Sequence, residues 1–262
     1  MRAVAAEEYR RSDTTGARTE SRQAHQDAAV ASQVLDGEPQ WTRLYRIGGV
    51  SAALLAAITV LHSAVYFVAG LPATVAGWFA LFHRNALLGL LAFELLMVVY
   101  VVLSVPVVLA LAAALRRTSP PSMELYAALS LVGVAAFVAA RPAFEMLSLS
   151  NAHAAAATEA QRAVYLAAGE ATLAVFHGTA FWASYVLGSV TGLIVAAAML
   201  RSAVFGRTTA YLRIASSLLD FGLFVPTIGL FISLFSVLCF LAFNVLVARR
   251  LLQLAREPQG NR

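Results

Sequence analysis

Residues 170–201 read EATLAVFHGTAFWASYVLGSVTGLIVAAAMLR. About 20 predominantly apolar residues cross the hydrocarbon core of a bilayer, so this run is long enough to span one. It carries small side chains at every fourth position: Ala180, Ser184, Gly188, Gly192 and Ala196. Helices in lipid associate by close van der Waals approach, and such a ribbon lets two backbones come together. At 3.6 residues per turn, Glu170, His177, Ser184 and Gly188 fall on one side of the helix, overlapping the ribbon. The two titratable groups are therefore expected to face protein, not lipid.

Composition agrees with a membrane protein. The chain is 60% hydrophobic and 13% charged, with a mean hydropathy of +0.74. A soluble domain carries roughly twice that charged fraction. All 19 basic residues are Arg, so a lysine Schiff base is excluded. The one cysteine, Cys239, lies in an apolar run without a partner, and no intrachain disulfide is available.

Residues 1–40 are polar, lack a signal-peptide core and read as a disordered cytoplasmic tail. The remainder, 41–256, reads as an all-α membrane bundle of six transmembrane helices, with 257–262 as a C-terminal tail. The first span runs from Ile47 to Gly70, and residues 72–85 form an interfacial segment. The second covers Ala86–Leu115, kinked at Pro106. The third, Met123–Ala140, stops at Arg141-Pro142 and leads into a long hydrophilic connection. Thr158 and Gln161 fit a capping box, opening a helix that should break or bend near Gly169, ahead of the fourth span. The fifth span is Leu212–Val225, turned back by residues 226–229, and the sixth is Leu230–Ala248.

Six spans place both termini on one side, and the Arg distribution says which. Inner segments would hold sixteen Arg, while only Arg84, Arg141 and Arg162 would lie outside. The positive-inside rule then makes both termini cytoplasmic. The same asymmetry explains the net charge of +5 through anionic headgroups, leaving membrane lipids as partners and no case for nucleic acid. A second copy of the chain is a further candidate partner.

Several segments resemble an uncharacterised family of bacterial six-helix membrane proteins, domain of unknown function 4386. They are LYRIGGVSA (44–52), PAFEMLSLS (142–150), TEAQR (158–162), AAGEA (167–171) and MLRSAVFGRTTAYL (199–212). The resemblance covers about residues 41–256. It implies a helical integral membrane fold in the bacterial cytoplasmic membrane, and no established activity or catalytic residues.

With this topology, His62, Glu94, His177 and Asp220 share a layer roughly 7–12 Å below the outer surface, at about 1.5 Å per residue. Glu170, Glu145, Arg141, His83 and Arg84 sit above it at the rim. Ionisable groups inside a membrane are costly unless paired or reached by water, so the layer predicts a polar pocket opening outward among spans one, two, four and five. Two kinds of function fit. One is non-enzymatic: binding or translocating a small polar ligand or ion at His62, Glu94, Glu170, His177 and Asp220, or a structural or sensory role. The other is a metal- or haem-dependent membrane enzyme using His62, Glu94 and His177, whose donors suit a transition metal. HExxH is absent, and two histidines alone are a weak basis for haem. A plain pairing of Glu94 with His62 or His177 that locks the helices is the simpler account. Arg141 and Glu145, spaced i, i+4, are expected to form a local ion pair, Asp220 to join Ser216, Ser217 and Arg213 in a network, and His83 and His153 to be solvated.

Overall fold

Caps and breaks cut the apolar runs into more pieces than hydropathy alone suggests. The structure, a computed structural model, describes residues 38–225 and 229–257, and every regular element among them is helical. Of the expected disordered tail over 1–40, residues 38–40 already belong to the first helix, and 1–37, like the expected turn over 226–228 and residues 258–262, lie outside the described residues.

Helix α1 spans Glu38–Ala69 and ends at Gly70, whose φ of +63° takes the left-handed position that glycine adopts without cost. Thr74 caps α2, Val75–Arg84, by accepting from the Gly77 amide at 3.2 Å. Asn85 then caps α3, Ala86–Ala92, accepting from the Leu88 amide at 2.9 Å. Helix α4 is Leu95–Leu115, α5 is Pro120–Ala139, α6 is Ala143–Ala155 and α7 is Glu159–Phe176. Helix α8 is Thr179–Leu200, α9 is Arg207–Asp220, followed by a 3-10 turn over Phe221–Phe224, and α10 is Gly229–Leu254.

Six of these helices close a ring in the order α1, α4, α5, α8, α9, α10 and back to α1. Each ring member turns large apolar side chains outward, among them Phe67, Val102, Val132, Val186, Leu218 and Leu238. Helices apolar on their outer as well as inner faces suit a lipid surround. The remaining helices, α2, α3, α6 and α7, pack on one another as a cap at one end of the ring. Two separate cores result. Leu55, Leu111, Leu115, Val195, Met199 and Leu251 belong to the one inside the ring. Val75, Trp78, Phe79, Phe93, Met146 and Phe176 belong to the one in the cap.

Among the described residues, five segments are long and apolar enough to cross a membrane: Trp41–Ala69, Leu95–Leu115, Pro120–Ala155, Glu159–Leu200 and Leu234–Leu254. The expected fifth span corresponds to α9, which begins earlier, at Arg207, and is not among them. Other boundaries also differ. The second span breaks at Phe93-Glu94, whereas Pro106 lies inside a continuous α4. The hydrophilic connection after Pro142 is largely the helix α6. Helix α7 runs through Gly169 and ends at His177 instead, because Gly169 serves packing: a Cβ there would meet Val75 and lie 3.1 Å from Phe79. The capping box is present, with Thr158 accepting from the Gln161 amide at 3.2 Å and Gln161 accepting from the Ala157 amide at 3.0 Å.

The ribbon on α8 is used in part. Ser184, Gly192 and Ala196 are buried. The closest approach is at Gly192, where a Cβ would run into Arg213 and Ser217 of α9. Gly188 has open space where a Cβ would stand, so its lack of a side chain is not what brings the helices together; its carbonyl accepts from Arg213 of α9 at 2.9 Å.

Candidate functional site

Where ring meets cap, four helix junctions converge. The last turn of α1 brings Tyr66, the α3–α4 break brings Glu94, the α5–α6 break brings Arg141, and the α7–α8 break brings Phe176 and His177. Helix ends leave carbonyls without intrahelical partners, and a buried end needs something to satisfy them. Arg141 does this twice: its Nη1 donates to Ala140 O and to Phe176 O, both at 3.1 Å. Its guanidinium carbon lies 4.1, 4.5 and 4.8 Å from the ring centres of Phe137, Phe176 and Phe181. The cation is thus held by carbonyl dipoles and three aromatic rings.

The Nε of Arg141 stands 2.5 Å from Glu94 Oε2. The Nε–H has no aligned acceptor, so the contact is an ion pair and not a directed hydrogen bond. Tyr66 donates its hydroxyl to Glu94 Oε1 at 2.7 Å. Glu94 has φ +66° and ψ +22°, making it the one non-glycine residue with positive φ among the described residues. That conformation costs about 1–3 kcal/mol and persists where the surroundings over-determine it. Here the pair with Arg141 and the Tyr66 hydroxyl hold it.

A cavity of about 260 Å³ opens beside this pair. Its wall includes Tyr66, Trp78, Glu94, Phe176 and His177, closed off by Leu71, Pro72 and Ala73 from the α1–α2 connection. The expected site residues divide accordingly. Glu94 and His177 do line one cavity. His62 lies one turn before Tyr66 with ring centres 4.3 Å apart, and its buried Nδ1 meets no hydrogen-bond partner. Glu170 is exposed on α7 and does not line the cavity. Asp220 lies in a second polar cluster inside the ring, where it accepts from Ser236 of α10, which also reaches the backbone of Ser216. The expected network forms only in part: Ser236 ties Asp220 to Ser216, whereas the buried Ser217 hydroxyl has no hydrogen-bond partner and Arg213 donates to Gly188 O instead, its guanidinium 4.7 Å from the Phe240 ring centre.

Two expectations about partners are corrected. Glu94 pairs with Arg141 and Tyr66, not with a histidine. Arg141 accordingly does not pair with Glu145, which is exposed on α6, because Arg141 turns inward to the carbonyls and carboxylate at the junction. Among the described residues, no three His, Cys, Asp or Glu side chains gather in a way that could hold a metal ion, so the set His62, Glu94 and His177 is not assembled as one. His83 and His153 line a separate cap cavity of about 280 Å³, with His153 half-buried and 5.2 Å from the Phe79 ring centre.

Sequence reasoning passed over the pairing of Arg141 with Glu94 and the cage of Phe137, Phe176 and Phe181 around the guanidinium. Two signals were present: an Arg between apolar runs, and Phe137 one helical turn before it. Comparison with protein-family models, curated proteins and solved structures gives no match in any of the three.

Proposed function

We propose that this membrane protein binds or passes a small polar ligand or ion at Glu94, in a cavity open on the side opposite the Arg-rich ends. The observation that carries this reading is Glu94 itself: a carboxylate in left-handed backbone, 18% exposed, lining a concave site. Backbone strain concentrates at binding and catalytic sites, and ligand sites are concave, largely apolar and furnished with a few placed polar groups.

Six crossings, with both termini cytoplasmic in a bacterial cytoplasmic membrane, belong to this reading, as does kinship with the six-helix family. The ring of six helices supports it. So does the length of α9 with its 3-10 turn, about 29 Å at the usual rises per residue, close to a bilayer core. A metal- or haem-dependent enzyme is less well supported, since the three proposed donors do not cluster.

The test is a screen of small polar compounds by thermal unfolding of the purified protein, run in parallel on Ala73→Trp. Ala73 is exposed at the cavity wall, so the indole fills the site without entering a core. A ligand that binds only the folded state raises its unfolding temperature. Compounds that stabilise the parent and not Ala73→Trp support the reading. If every stabilising compound acts equally on both, the cavity is not the binding site.

A further inference from the structure

We infer that the occupant of this cavity is a small organic ammonium ion. The inference rests on the ligand-binding reading above and adds the sign and kind of charge.

The ion pair beside the cavity is asymmetric. Arg141 has a side chain 1% exposed and is enclosed by Phe137, Phe176 and Phe181. Phe176 is also a wall of the cavity, so a ring that covers the guanidinium is one the ligand would touch. Two carbonyls share the cation's charge with Glu94. The carboxylate, in contrast, lines the cavity. Its two oxygens offer about four lone-pair directions, and each oxygen has one partner within the protein. The cavity therefore sees the negative end of the pair.

Tyr66, Trp78 and Phe176 also line the cavity, beside His177, and aromatic side chains of this kind attract cations through their faces, Trp most strongly. A carboxylate with aromatic walls suits an alkylammonium group: the charge meets Glu94, and the carbon atoms meet the rings and Leu173. At about 260 Å³ the site lies just below the usual range for drug-sized ligands, which favours a small amine.

The test uses three probes matched in size: butylammonium, butanol and butyrate. Each is titrated into the detergent-purified full chain while thermal unfolding is followed, with Ala73→Trp in parallel. The expected result is a concentration-dependent rise with butylammonium alone, absent in Ala73→Trp. Glu94→Gln should weaken butylammonium at least tenfold. Should Glu94→Gln fail to fold, Trp78→Leu, which leaves the ion pair intact, should weaken it at least threefold; undiminished affinity there overturns the inference. If butanol or butyrate stabilises the parent as well as butylammonium does, and Ala73→Trp abolishes the effect, the cation is wrong while the binding cavity stands. If no probe shifts the parent, the inference falls, and the broader reading is decided by its own screen.

Discussion

Arg141 and Glu94 approach to 2.5 Å across the boundary between ring and cap, yet their surroundings differ: the guanidinium side chain is 1% exposed and the carboxylate 18%. Removing one partner of a buried pair leaves an uncompensated charge and costs about 3–5 kcal/mol, more than the pair itself contributes. Glu94→Gln strands the enclosed cation and should reach that range, whereas Arg141→Met leaves a carboxylate that water in the cavity can reach and should cost less. The double variant should be more stable than Glu94→Gln alone. Thermal unfolding of the three proteins checks the order; equal losses in both single variants would count against the asymmetry.

The two glycines of the α8 ribbon should behave differently. Gly192→Ala drives a Cβ into the Arg213 guanidinium and Ser217, and overpacking of that kind costs about 1–3 kcal/mol. Gly188→Ala enters open space and should be neutral or stabilising by up to about 1 kcal/mol, through better helix propensity. The measurement is unfolding temperature together with yield of folded protein. A Gly192→Ala protein as stable as the parent would show that α8 and α9 do not meet there.

Ser236 joins α10 to α9 through the Asp220 carboxylate and the Ser216 carbonyl. Ser236→Ala leaves a half-buried carboxylate short of its donor and should cost about 1–3 kcal/mol. Ser236→Thr keeps the hydroxyl and should lose less. Equal losses in the two variants would point to packing as the cause, not the hydrogen bond.

Topology can be read by thiol labelling after Cys239→Ser. Ala157→Cys, exposed in the cap, should react with a membrane-impermeant reagent in intact cells. Gly206→Cys, exposed at the opposite end with open space around it, should react only after permeabilisation. Labelling of both before permeabilisation, or the reverse pattern, would falsify the orientation drawn from the Arg distribution.

Most of the helical framework was legible because it follows from local rules. Apolar runs set where helices can lie in lipid, and Thr158 with Gln161 marks a helix start by side-chain chemistry alone. Breaks were harder. Pro106 and Gly169 are visible helix breakers, yet both sit in continuous helices, while the break at Glu94 carries no glycine or proline to announce it. Tertiary contacts fix Glu94 there, and sequence spacing does not show them. The same limit explains the partner of Arg141: spacing along one helix pointed to Glu145, while the actual partner lies on another junction. Glu94 and His177 line one cavity, whereas Asp220, given the same depth by the same residue counting, lies in another cluster, because depth along a span does not say which helices meet.

Because the ring closes between its first and last members, the order of synthesis matters. On α1, Gly48 and Gly49 form a notch: a Cβ on Gly48 would lie 2.5 Å from Ala110 and 3.4 Å from Leu251, and one on Gly49 would lie 2.8 Å from Leu252. Leu251 and Leu252 are carried by α10, which follows the other five ring helices along the chain. Helix α1 therefore waits with half its notch unfilled until α10 has been made. A chain cut short before α10 would lose more than that helix: α1 would stay half-docked, a natural target for membrane quality-control proteases.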